Sequence, residues 1–216
     1  MRIVISLGGS VLGDRIKEFA EVIEKISKNN KIFVVVGGGK LARELIGKAR
    51  ELGADEVSCD YIGIEVTRIN AMLLSVALKR APRRIPRDFK EAEELSRVYD
   101  VVVMGGTFPG HTTDATAALL AEYVKADLFL NATSVDGVYS ADPRVEKGAK
   151  KFEKLSYGEL VRIVSRSSMR AGANVVMDLL ATKIIERGKI RTVVFLGTPE
   201  NIIRVLNGER IGTVIE

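Results

Sequence analysis

"RIVISLGGSVLGDRIKEFAEVIEKISKNNKIFVVVGGGKLAR", residues 2–43, decides the fold. Two short apolar, β-branched runs, 2–7 and 31–36, each break off into glycines, Gly8-Gly9 and Gly37-Gly38-Gly39. Unbroken apolar runs of this length suit strands buried on both faces of a sheet. Between them Ile16, Phe19, Ala20, Ile23 and Ile26 recur along one helical face. Strand, helix and strand in that order open a parallel α/β sheet.

The alternation continues outward from this unit. Residues 40–53 read as a helix closed by Gly53, 60–80 as a long helix, and 88–100 as a polar helix leading into the strand "VVVMGG" at 101–106. Thr112 or Thr113 can cap a helix over 114–126, followed by a strand over 127–132. Ser156 and Glu159 have capping-box spacing. A helix over 174–188, a strand over 190–196, a helix over 198–208 and a strand over 212–216 complete the pattern. With no repeat or composition break, the expectation is one α/β domain over 1–216, helices covering both faces of a largely parallel sheet. The glycines, Pro143 and lysines of 134–155 predict a hairpin or flap inserted into it.

Composition narrows the function. The chain has 216 residues, 46% of them hydrophobic, enough for one substantial core. No apolar run approaches the ~20 residues of a membrane span, and the N-terminus lacks a signal-peptide pattern, so a cytoplasmic protein without a membrane partner is expected. A single cysteine, Cys59, leaves no intrachain disulfide and no cysteine-based zinc site, and reads as a packed small hydrophobe. The net charge of +5 favours anionic ligands. The basic cluster of 78–90 has neither interleaved aromatics nor a nucleic-acid motif, so it reads as a solvated loop and no nucleic-acid partner is expected.

Three strands end in glycines: Gly8-Gly9-Ser10, Gly37-Gly38-Gly39 and Gly105-Gly106-Thr107. Ligands of an open parallel sheet bind beyond the carboxyl ends of its strands. Glycine lets backbone approach an oxyanion, and helix N-termini offer free N–H groups, so converging turns could hold a polyphosphate. The stretch "GGTFPGHTTDATAALLAEYVKADLFLNATSVDGVY", residues 105–139, adds the lone histidine, His111, and a second glycine turn. Walker and dinucleotide spacings are absent. His111 has no second histidine, and "GGS" and "GGT" supply no nucleophile elbow, which removes a hydrolase.

The segments "ISLGGSV", "VVVGGGKLAR", "VMGGTFPGHTTDATAALLAEYVKAD" and "TSVDGVYSADP" resemble, in order, the signatures of the amino-acid-kinase superfamily, and "CDYIG" with "GTFPGHTTD" resembles its archaeal uridylate kinase branch. The resemblance covers essentially the whole chain. It implies a three-layer α/β/α sandwich around about eight strands, with an acceptor part over about 1–125 and an ATP part over about 126–216. It also implies Mg²⁺-dependent transfer of the ATP γ-phosphoryl group to UMP, for pyrimidine nucleotide synthesis, by a homo-oligomer, usually a hexamer. By this resemblance ATP would contact Gly9, Ser10, Gly39, Arg43, Thr133, Ser134, Tyr139 and Asp142. UMP would contact Gly38, Asp60, Phe108, Pro109, Gly110, His111, Thr112, Thr113 and Asp114. Thr113-Asp114 could equally start a helix, and Asp60 could cap one at Tyr61.

Two departures bear on catalysis. Many superfamily members carry lysines where this chain has Ser6 and Val175, and an aspartate where it has Ser134. Phosphoryl transfer still needs positive charge, for which Lys40, Arg43, Lys183 and Mg²⁺ are available. Arg43, Asp136 and Lys183 are the catalytic candidates; Asp136-Gly137 also reads as a loop-fixing turn. No protein-borne metal site is expected. Kinases of the same fold acting on other phosphate or carboxylate acceptors, and a non-catalytic nucleotide-binding protein, are the competing readings.

Overall fold

The computed structural model describes residues 1–141, 143, 146–168 and 176–216. Along the chain run β1 (Arg2–Leu7), α1 (Gly9–Leu12), α2 (Ile16–Ile26), β2 (Lys31–Val36), α3 (Gly39–Glu51), α4 (Glu56–Ala77), α5 (Phe89–Ser96), β3 (Val101–Met104), α6 (Thr113–Tyr123), β4 (Leu128–Thr133), β5 (Lys154–Leu155), α7 (Tyr157–Ser168), α8 (Leu179–Gly188), β6 (Thr192–Leu196), α9 (Pro199–Leu206) and β7 (Thr213–Ile215). The strands form one sheet in the order β3-β2-β1-β4-β6-β7-β5. The five from β3 to β6 are parallel. β7 runs antiparallel to β6 and carries β5 parallel at the edge.

The apolar runs alternate between two cores, as the period-two geometry of a strand demands. Val4, Phe33, Val35, Val102, Phe129 and Val194 join α6, α7 and α8 on one face. Ile3, Ile5, Val34, Val103, Leu130 and Phe195 join α2, α4 and α9 on the other. That double burial makes the three layers.

Several expectations shift. The described residues form seven strands, not eight: the hairpin over 134–155 contributes a single antiparallel bridge, Tyr139 to Lys151, before β5. α4 starts at Glu56 because the Asp55 carboxylate accepts the Ser58 N–H at 2.8 Å. Asp60 therefore lies inside the helix, and the capping role considered for it at Tyr61 is excluded. The helix expected over 174–188 is helical from Leu179, after the N-cap Asp178, while 174 and 175 lie outside the described residues. The Ser156–Glu159 capping box forms reciprocally and opens α7, which periodicity alone did not mark. In the basic segment, Arg80 pairs with Asp100, Arg84 pairs with Glu91, and Arg83 donates to the Ser75 carbonyl. That loop is braced by its own cations. Cys59 is buried, as expected of a packed thiol.

Candidate functional site

β1, β2 and β3 lie side by side, which brings their three glycine turns to one end of the sheet. The first two turns interlock. A side chain on Gly9 would put its Cβ 2.2 Å from the Gly39 nitrogen and 2.5 Å from the Gly37 oxygen, and one on Gly37 would meet the Gly9 nitrogen at 2.5 Å. Gly39 also has φ +67°, a conformation natural to glycine. α3 starts there with no side-chain cap, so its first N–H groups are free for an anion. Ser10 is exposed beside the first turn, and Arg43 is exposed one helical turn into α3. Neither Lys40 nor Arg43 has an ion-pair partner among the described residues.

The third turn leads into a loop whose tip bends back on α4. The Gly110 N–H, at φ +81°, donates to the Asp60 carboxylate at 2.8 Å. The second Asp60 oxygen has no partner among the described residues. Phe108 is 62% exposed, so its ring face is open to a flat ligand, and it lies 6.2 Å from the His111 ring. Pro109 is half-buried. Thr112 is the N-cap of α6, accepting the Ala115 N–H at 3.0 Å and donating to the Asp178 carboxylate.

Asp114 turns inward, where the Ser6 hydroxyl donates to it at 2.7 Å. Burial pushes its pKa up to about 6; the Ser6 hydrogen bond and the Asn131 amide oppose the rise, and the Asp178 charge adds to it. Ser6 and Asn131 are register partners on β1 and β4, and both are buried. A compact polar centre thus surrounds Ser6, one of the two positions where many superfamily members carry a lysine; the other, Val175, lies outside the described residues. Asn131 and Asp178 escaped sequence reading: Asn131 sits inside an apolar run, and Asp178 was taken as helix interior.

At the end of β4, Thr133 is half-buried, and Ser134 just beyond it is exposed. Asp136 holds the flap: Lys151 donates to one of its oxygens at 3.0 Å and the Tyr139 hydroxyl to the other at 2.8 Å. Burial works against the Asp136 charge, yet these two bonds and the Lys151 charge keep its carboxyl below the ordinary range. The same bond to Asp136 raises the Tyr139 hydroxyl. With both oxygens occupied, Asp136 has the geometry of a loop-fixing residue. Lys183 is turned along α8 to Glu186 at 2.9 Å, a surface ion pair. Asp142 lies outside the described residues. Among the described residues, no three His, Cys, Asp or Glu side chains gather as an ion cage.

Comparison with known proteins gives consistent matches. The family model for the amino acid kinase family matches residues 1–196. A uridylate kinase of Archaeoglobus fulgidus is 65% identical over 218 residues, covering all of both chains. One of Methanococcus aeolicus is 49% identical, covering 100% of this chain and 99% of its own. The crystal structure of uridylate kinase from Archaeoglobus fulgidus has a TM-score of 0.94 at 64% identity, with full coverage of both chains.

Proposed function

The chain belongs to the amino acid kinase family, in its archaeal uridylate kinase branch, and from that membership and the joined turns we infer a UMP kinase that transfers the ATP γ-phosphoryl group to UMP, giving ADP and UDP. The observation that carries this reading is the interlock of Gly9, Gly37 and Gly39 beside the loop that Asp60 draws back through Gly110. Two anionic substrates must lie end to end for such a transfer, and the turns offer N–H donors to both at one end of the sheet.

In this reading Gly9, Ser10 and Gly39 receive the ATP phosphates, and Gly38 faces the UMP phosphate. Arg43, without an ion-pair partner among the described residues and able to present two donors at once, bridges the groups being joined. The free oxygen of Asp60 accepts from the UMP ribose, and Phe108 with residues 109–113 closes over the nucleotide. Asp114 shapes this pocket from beneath through Ser6. Thr133, Ser134 and Tyr139 face ATP, Asp136 fixes their loop, and Lys183 is left with at most a peripheral electrostatic part. Residues 1–125 then serve mainly the acceptor and 126–216 mainly ATP.

Mg²⁺ fits as an ion carried by ATP, since the described residues offer no cage of their own. When bound, it neutralises phosphate oxygens. No helix among the described residues is long and apolar enough to cross a membrane. We place the enzyme in the cytoplasm, in pyrimidine nucleotide synthesis. Tyr61, Ile69, Met72, Leu73 and Val76 expose apolar surface along α4, which supports self-association, with the hexamer as the proposed state.

The test is ADP release from Mg-ATP across nucleoside monophosphates and small carboxylate acceptors. UMP-dependent turnover is expected. Turnover only with another acceptor, or nucleotide binding without turnover, overturns the reading.

A further inference from the structure

Two polar side chains of α4 bond to the backbone of two different glycine turns. The Asn70 amide donates to the carbonyls of Gly37 at 2.9 Å and Gly38 at 3.3 Å. Thr67, one helical turn earlier and 6% exposed, accepts the Gly106 N–H at 2.7 Å. Its own hydroxyl proton goes to the Ile64 carbonyl at 2.6 Å, so its orientation is fixed from the helix side.

A planar trans peptide points its C=O and N–H in opposite directions. Tying the Gly37 and Gly38 carbonyls back to Asn70 therefore aims the N–H groups of Gly38 and Gly39 away from α4. Those are two of the donors that the glycine turn offers to phosphate. At the third turn the helix comes closer still: a side chain on Gly105 would meet the Thr67 hydroxyl at 2.5 Å and the Arg68 nitrogen at 2.8 Å. The two anchors sit three residues apart on one continuous helix. The distance between the second and third turns is thus copied from a helical repeat, about 1.5 Å of rise per residue.

We propose that Thr67 and Asn70 are positioning residues that set the spacing of the donor and acceptor phosphates by holding the second and third glycine turns on one rigid helix. This rests on the UMP kinase reading, and it assigns a role to residues outside the set that reading gives to either nucleotide. It also explains why the longest helix of the described chain lies across the site: Asp60, at its other end, holds the tip of the same acceptor loop.

The variants Asn70→Ala, Thr67→Val and Thr67→Ser separate positioning from mere packing. Misplacing reacting groups by a fraction of an ångström lowers the rate of the joined step more than the binding of either partner. Asn70→Ala and Thr67→Val should lower kcat about tenfold or more, with KM for ATP and for UMP each within about threefold of the parent. Thr67→Ser, which keeps the hydroxyl, should recover most of the kcat lost in Thr67→Val. The double variant Thr67→Val/Asn70→Ala should lose less than the product of the single losses, because both anchors serve one spacing. Where Thr67→Val fails to fold, the half-buried Asn70→Ala carries the test. Unchanged kcat in soluble Asn70→Ala, or a rise in both KM values at constant kcat, overturns the proposal. A parent protein without UMP-dependent ADP release overturns the kinase reading itself, a result visible before any variant is made.

Discussion

The glycine-turn end of the sheet and the flap after β4 are built in opposite ways. At the turns, backbone lies on backbone: the sites of missing side chains at Gly9, Gly37 and Gly39 are filled by each other's main-chain atoms. In the flap, backbone strand pairing among the described residues is the Tyr139–Lys151 bridge, and side chains add the rest, with Asp136 gripping Lys151 and Tyr139, and the Thr213 hydroxyl accepting the Val138 N–H at 2.8 Å. Main-chain interlock cannot relax around a substitution, whereas exposed side-chain ties can be remade or replaced by water. On the proposed reading, the difference separates a fixed phosphate platform from an adjustable cover for the donor nucleotide.

The largest effect is expected where the interlock is entered. Gly9→Ala would drive a methyl against the Gly39 nitrogen and the Gly37 oxygen, and should cut kcat by ~10²-fold or more as the turns part. Gly110→Ala is its control: the site is open, and the cost is only the positive φ, roughly 1–2 kcal/mol. Steady-state rates and melting temperatures of both variants check this. Equal losses would mean that the interlock is no tighter than the loop.

Next is Arg43→Ala. Removing one well-placed charged donor should lower turnover by about 10²-fold while leaving the ATP affinity near its parent value. Loss of ATP binding at intact turnover would move Arg43 from the transferring group to simple capture.

Asp114 tests the buried polar centre around Ser6. Its carboxyl rises in the fold from 3.8 to about 6, so the native state holds the proton more tightly than the unfolded chain does. The sign follows: ionised Asp114 costs stability, the cost being absent below pH 3.8, growing up to about pH 6 and fully present above. The difference corresponds to up to about 3 kcal/mol at 1.36 kcal/mol per pKa unit. Asp114→Asn should therefore raise the melting temperature at pH 7.5 and gain nothing near pH 4, with turnover reduced. An equal shift at both pH values would show that the charge is not what this centre resists.

Asp60 probes the hinge between helix and acceptor loop. An ionised carboxylate accepts hydrogen bonds and donates none, so the oxygen left over by Gly110 suits a ribose hydroxyl. UMP should be preferred over dUMP by about tenfold or more, and Asp60→Ala should bring that ratio of kcat/KM towards unity. An unchanged ratio would confine Asp60 to holding the loop.

What the sequence disclosed follows the same division. Elements set by local periodicity, such as the runs at 2–7 and 31–36 and the Thr112 and Ser156 caps, could be read directly, because their causes lie within a few residues. The glycine turns could be read as strand ends for the same reason, and the parallel order of β1, β2 and β3 then gathers them at one end of the sheet. Contacts made across the fold could not: Ser6 meets Asp114 across 108 positions, and Thr67 meets Gly106 across 39. Asp60 was misread as a possible cap because Asp55, five residues earlier, satisfies the same local rule and starts the helix first. Lys183 has the charge a phosphate site needs, but Glu186 lies three residues on in the same helix and pairs with it, a contact that helical spacing alone would have shown.

The smallest effect belongs to the flap, and it is where the comparison can be made sharpest. The Lys151–Asp136 pair is exposed, with 36% and 52% of the two side chains accessible, so it should stabilise the loop by no more than ~1 kcal/mol. Lys151→Met keeps the length of the side chain and removes the charge, leaving Tyr139 alone on Asp136. If the flap serves ATP, KM for ATP should rise only a few-fold, and KM for UMP should not move. Salt gives a second handle, because screening weakens an exposed pair. In molar salt the parent should approach the ATP requirement of Lys151→Met, while the deficit of Gly9→Ala, being steric, should persist unchanged. Kinetic titrations of both nucleotides at low and high salt decide the matter. A shift in the UMP term would mean that the two pockets are assigned backwards, and a salt-independent ATP term would mean that the flap is held by packing instead of charge.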